Sequence, residues 1–142
     1  MSVSHVGLRV RDLEKSTQFY EALGFTEAKR LTVPDNIAAG LLALEPPIGF
    51  EAVYLQKDAF VLQLLTFADY AAPAQPERTM VNAGLTHLSI VVDDMAQAQD
   101  AVRSAGGAII AEPPGGYVCI ARDPEGQLIE LMHASVRPVP AG

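Results

Sequence analysis

The sequence predicts an α+β fold made of two βαβββ modules, each running strand, helix and three strands. Three observations predict it. The segment HVGLRVRDLEKSTQFYEALGF from His5 superposes without a gap on HLSIVVDDMAQAQDAVRSAGG from His87, at a constant offset of 82. Each copy passes from a β-branched run of period two to a run with helical spacing. Short polar turns then separate further extended runs.

Each element follows in order. Val3 to Val10 and Leu85 to Val92 alternate as strands do, and Asp12 and Asp94 stand where a carboxylate caps a helix. The helical runs end at Gly24 and Gly106, suited to a left-handed exit. Under the offset Leu8 meets Ile90, Leu13 meets Met95 and Tyr20 meets Val102, so apolar character is kept. Further strands are expected at Phe25 to Val33, Phe50 to Gln56 and Phe60 to Phe67, and at Ala108 to Ala111, Tyr117 to Arg122 and Leu128 to His133. Lys57-Asp58-Ala59 and Asp123-Pro124-Glu125-Gly126 read as the hairpin turns. This gives a first module over 1–67, a linker over 68–83 with Pro73 and Pro76, a second module over 84–135 and a flexible tail over 136–142. Pro34 to Gly49, with Pro46 and Pro47, is an insertion of the first half alone and reads as a second linker.

The chain has 142 residues, enough for one compact domain or two very small intertwined modules. Hydrophobic residues at 49% against charged residues at 19% exclude a largely disordered chain. A formal charge of -7 argues against nucleic acid as a partner, because phosphate backbones would be repelled. Cys119 stands alone and cannot close an intramolecular disulfide, which suits a reducing cytoplasm. No apolar run approaches the length of a membrane span, and the first residues carry charges, so the expectation is an unprocessed cytoplasmic chain without a membrane partner.

Strand alternation then brings polar side chains together. His5, Gly7 and Arg9 point one way while Val6, Leu8 and Val10 point the other, toward the helix. The same parity sets His87 against Leu88, Ile90 and Val92, sets Gln63 against Leu62 and Leu64, and sets Glu130 against Ile129 and Leu131. If the halves pair through a pseudo-twofold, the face carrying all four lines a concave half-barrel of mixed sheet with the helices outside. Two imidazoles, a carboxylate and an amide oxygen suit a borderline divalent ion such as Co, Ni, Zn, Mn or Fe. Glu130 needs such a partner, since an unpaired carboxylate in an apolar strand is costly.

The opening HVGLRVRDLEKSTQFYEALGF, the second THLSIVVDD and the closing DPEGQLIELM resemble the vicinal oxygen chelate superfamily. That superfamily includes glyoxalase I, methylmalonyl-CoA epimerase, extradiol dioxygenases and drug-resistance proteins. The resemblance implies paired βαβββ modules, a concave metal site, a small-molecule substrate and a homodimer. Its metal commonly binds vicinal oxygens of the substrate. The order His5, Gln63, His87, Glu130 is similar to the ligand set of methylmalonyl-CoA epimerase, implying proton transfer at carbon through an enolate. His5 followed by Arg9 is similar to bacterial glyoxalase I, whose Arg helps hold glutathione, but Gln63 and Phe67 stand where those enzymes usually carry Glu and Asn.

An extradiol dioxygenase would use iron on two His and a Glu, and Gln63 would crowd it. A module that binds a drug or metabolite without chemistry is the remaining alternative. Glu130, Glu45 and Glu51 are the candidate acid–base groups, and Arg9, Tyr54, Tyr117 and Met132 the candidate substrate contacts. Phe19, Tyr20 and Leu23 read as core. Cys119 reads as a buried small hydrophobe, Met80 as a further candidate to line the pocket, and Arg78 and Asn82 as exposed linker positions first and contacts for a ligand or partner subunit second.

Overall fold

The computed structural model describes residues 1–138. Of the expected tail, residues 139–142 lie outside the described residues, while Ala134–Val136 form a single 3-10 turn. The chain divides into two compact units, Met1–Ala74 and Gln75–Gly142, the boundary falling inside the expected linker.

Unit 1 contains β1 (Val6–Arg9), α1 (Leu13–Ala22), β2 (Thr26–Val33), α2 (Asp35–Leu42), β3 (Phe50–Lys57) and β4 (Phe60–Phe67). Unit 2 contains β5 (His87–Val92), α3 (Met95–Ser104), β6 (Ala108–Ala111), β7 (Val118–Arg122) and β8 (Leu128–His133). The sheets follow one plan, β1-β4-β3-β2 and β5-β8-β7-β6. In each, the first strand runs parallel to the last and the other pairs are antiparallel. Each unit is therefore a four-stranded mixed sheet made from one half of the repeat.

The caps form as the repeat predicts. Asp12 accepts from the backbone N–H of Lys15 at 2.9 Å and Asp94 from that of Gln97 at 2.9 Å. Gly24 and Gly106 leave the helices at φ 89° and 88°, which a side chain would resist. α1 buries Leu13, Phe19 and Tyr20, with the two rings edge to face at 5.1 Å, and α3 buries Ala98 and Val102. On the strands, Val53, Leu55, Leu62 and Leu64 fill the α1 face of sheet 1, while Ile90, Cys119, Ala121, Ile129 and Leu131 fill the corresponding face of sheet 2. Burying one such Val or Leu side chain contributes about 1.5–3 kcal/mol, so the parity that segregates them also fixes which side chains are left for the other face.

The insertion read as a linker carries α2. Asp35 opens this helix but does not cap it: its two carboxylate oxygens accept from the backbone N–H groups of Ile48 at 3.1 Å and Gly49 at 3.0 Å, closing the base of the loop. Ala38 is fully buried and packs with Ile48, Phe50 and Ala52, surrounded by Leu31, Val33, Leu65, Phe67 and Tyr70. Sheet 1 thus has a helix on each face, and the second covers the end of the sheet marked by Phe50 and Phe67. The flanking prolines and Gly40 hide α2 in the sequence, because they lower helix propensity over a short segment that tertiary packing then stabilises.

Candidate functional site

The register of sheet 1 aligns Gly7, Gln63 and Tyr54 on three adjacent strands, all on the face turned from α1. Gln63 Nε2 donates to the Tyr54 hydroxyl at 2.7 Å, and the His5 ring meets the Tyr54 ring edge-on at 5.3 Å. His5, Tyr54 and Gln63 are therefore one cluster. A Cβ on Gly7 would lie 3.4 Å from Gln63 Oε1 and 3.2 Å from a Leu65 methyl. The missing side chain leaves room for the amide oxygen.

Sheet 2 repeats the arrangement with different partners. Ser89, Glu130 and Ile120 align across β5, β8 and β7, and Ser89 Oγ donates to Glu130 Oε1 at 2.6 Å. Where unit 1 holds its oxygen donor from β3 through Tyr54, unit 2 holds its own from β5 through Ser89. Hydroxyls also meet both imidazoles, with Ser4 Oγ 3.1 Å from His5 Nδ1 and Thr86 Oγ1 2.9 Å from His87 Nδ1. Ser4, Thr86 and Ser89 are absent from the candidates read from sequence. The signal for the first two is the repeat itself, since Ser4 falls on Thr86 at the same offset.

The other candidates are placed as follows. Met132 shares the face of Glu130, opposite Val91 and Val118. Tyr117 does not: its ring packs edge-on to His133 at 6.1 Å, and β8 alternation sets His133 against Glu130. Glu51 faces Thr66 and shares the parity of Val53 and Leu55, so it stands on the face opposite Gln63. Glu45 lies exposed in the insertion, where its backbone N–H donates to the Tyr70 hydroxyl at 3.0 Å and its carbonyl accepts from that hydroxyl at 2.6 Å. Arg9 donates to the Tyr70 carbonyl at 2.8 Å and its guanidinium lies 5.1 Å from the centre of the Phe67 ring, so it braces the same loop. A cavity of about 220 Å³ opens beside it, lined in part by Arg9, Arg11, Phe67 and Tyr70, and contains neither His5 nor Gln63.

In the linker, Arg78 donates to the Leu85 carbonyl at 2.8 Å and Asn82 accepts from the Thr79 N–H at 2.7 Å, while Met80 is exposed. Cys119 is buried, and burial pushes its thiol up from the ordinary range, which removes it as a nucleophile.

Among the described residues no three of His, Cys, Asp and Glu gather as a metal cluster; each unit contributes one imidazole and one oxygen donor to its own sheet face. As chemistry each pair suits a divalent ion, since imidazole, amide oxygen and carboxylate are donors that Zn, Co, Ni, Mn and Fe accept. The gap over Gly7 leaves Gln63 Oε1 unobstructed on the β1 side.

Residues 2–131 match the Glyoxalase/Bleomycin resistance protein/Dioxygenase superfamily, and the chain belongs to that family. It is 29% identical over 142 residues to the probable chloroplastic lactoylglutathione lyase of Arabidopsis thaliana, across 96% of this chain and 37% of that protein. The chain thus spans well under half the length of that plant relative. It is 27% identical to the probable lactoylglutathione lyase of Synechocystis sp., across 95% of this chain and 97% of the relative. Among solved structures, a glyoxalase family protein from Bacillus cereus shares the fold, with TM-score 0.80 at 21% identity over 92% of each chain.

Proposed function

We propose that the protein is a metal-dependent enzyme that moves a proton at a carbon atom beside a carbonyl group in a small oxygen-rich metabolite, as a lyase or isomerase of the glyoxalase type. One observation carries the reading: His5 and Gln63 gather on Tyr54 on one sheet face, and His87 and Glu130 occupy the repeat-related face of the other unit. His5 with Gln63, and His87 with Glu130, are each assigned as donors to a divalent ion. When bound, that ion supplies Lewis acidity to a substrate oxygen.

The remaining steps belong to the chain. Glu130, steadied through Oε1 by Ser89, is assigned to take up the proton that leaves carbon. The Tyr54 oxygen accepts from Gln63, so its own O–H is the donor offered to a substrate oxygen. Met132 supplies apolar surface beside Glu130. Glu51 and Tyr117 are given no part, standing on the wrong faces of their sheets, and Arg9 and Glu45 serve the loop that Tyr70 ties down. A homodimer and a cytoplasmic location belong to the same proposal, and sedimentation of the purified protein tests the first.

The relatives named as lactoylglutathione lyases make glutathione hemithioacetals the first substrates to try, followed by methylmalonyl-CoA for the ligand order His, Gln, His, Glu. The test is exchange of the carbon-bound proton with deuterium from solvent, abolished by removing metal and restored by adding it. Oxygen uptake with Fe(II) as the one active metal would replace this reading with a dioxygenase. Tight binding of these compounds without exchange would replace it with a binding protein.

A further inference from the structure

Both imidazoles are met at Nδ1 by the hydroxyl of the residue immediately before them, Ser4 at 3.1 Å and Thr86 at 2.9 Å. The two hydroxyls superpose at the offset that relates the modules, and a hydroxyl is the one polar group that serine and threonine share. His133 shows the opposite arrangement. There the backbone N–H of Ser135 points at Nδ1 at 3.2 Å, which makes Nδ1 an acceptor and leaves the proton of the neutral ring on Nε2. One chain thus holds two imidazoles whose Nδ1 can donate to a hydroxyl and a third whose Nδ1 accepts.

We propose that Ser4 and Thr86 are positioning residues that accept the Nδ1–H of His5 and His87, fixing both rings in one tautomer with a bare Nε2 turned to the metal. This rests on the reading of His5 and His87 as ligands. A ligating imidazole generally donates its second N–H to a fixed acceptor, which sets the tautomer and the ring direction and raises the basicity of the nitrogen on the metal. Carboxylates, carbonyls and water are the usual acceptors; here the acceptor is adjacent in sequence, so it travels with its histidine. Each clamp is complete within two adjacent residues, just ahead of β1 or at the entry to β5, and needs no other part of the fold.

The test uses the whole chain, metal-free, with nitrogen-15 in the histidine rings, at about pH 8.5, above the ordinary imidazole range. The expected spectrum shows His5 and His87 as Nδ1–H and His133 as Nε2–H. Ser4→Ala and Thr86→Val should each release one ring to a mixture of tautomers, whereas Ser4→Thr and Thr86→Ser should preserve it. Calorimetry with Zn(II) should show roughly 10- to 100-fold weaker binding for each hydroxyl-lacking variant and wild-type binding for each hydroxyl-keeping one. His5 and His87 found as Nε2–H in the wild type, or tautomer and affinity unmoved by loss of the hydroxyls, overturns the proposal. If wild-type protein takes up no Zn(II), the ligand reading fails, while the ring spectra still support or overturn the clamp independently.

Discussion

Gln63 gives its amide N–H to the phenolic oxygen of Tyr54 across 2.7 Å, and that bond settles which end of the amide is left over. With Nε2 committed toward β3, Oε1 lies on the side of the bare Gly7 backbone. A glutamine is a weak metal ligand unless its oxygen is the end presented, so the tyrosine decides whether Gln63 can serve.

Tyr54→Phe should therefore do two things. Stability should fall by about 1 kcal/mol, the usual net worth of one hydrogen bond, read from urea unfolding. Zn(II) affinity should fall by about tenfold, since the amide is free to turn. A stability loss without any loss of affinity would remove Gln63 from the ligand set.

Glu130→Ala should weaken metal binding more than alanine at His5, Gln63 or His87, because it removes the sole anionic donor of the four. Calorimetry on the four variants ranks them. Gln63→Glu should bind metal at least as well as wild type and exchange the substrate proton more slowly, because a second anionic ligand lowers the ion's pull on developing negative charge. A faster Gln63→Glu enzyme would contradict the charge argument.

Asp12→Ala and Asp94→Ala should each cost about 1 kcal/mol by leaving an N-terminal amide of α1 or α3 unpaired. Both should lower the urea midpoint without altering the slope.

The Cys119 thiol, pushed up by burial, stays protonated at neutral pH. Its alkylation at pH 7.5 should be slow in native protein and should follow the rate of opening. The sign of its pH effect is set by the unfolded chain, which ionises first. The group's contribution is intact below about pH 8.5, the ordinary thiol value, and is lost as pH rises through the raised folded value. Replacing Cys119 with Ala should flatten that alkaline loss; an unchanged alkaline limb would show that other groups govern it.

The strand parity that separates His5, Gln63, His87 and Glu130 from the helix-facing residues was legible because period-two alternation is a property of any half-buried strand. The caps at Asp12 and Asp94 and the glycines after the helices were legible for the same kind of local reason. α2 was not, since what holds it is Ala38 against Ile48, Phe50 and Ala52, contacts between residues 10 to 14 positions apart in the chain. The misplacement of Glu51 and Tyr117 has a simpler cause. Strand register, not nearness along the chain, fixes the face a side chain takes, and it sets Glu51 and Tyr117 on the helix-side faces of their sheets. The hydroxyls of Ser4 and Thr86 were visible in the repeat but carried no meaning until the ring nitrogens beside them had directions.

Val33 and Phe50 stand opposite each other on the β2–β3 ladder, and everything between them, α2 included, leaves and rejoins the sheet at a single rung. The carboxylate of Asp35 bonding to the amides of Ile48 and Gly49 draws that excursion shut at its neck. In unit 2 the corresponding connection, between Ala111 and Ile120, contains no helix. The excursion is thus an exchangeable cassette. Lengthening or shortening it costs little in chain entropy, since closure cost grows only with the logarithm of length, and the ladder beneath does not register the change. A lineage carrying this fold could resize the covered end of sheet 1 by editing one stretch of coding sequence while leaving the strands untouched.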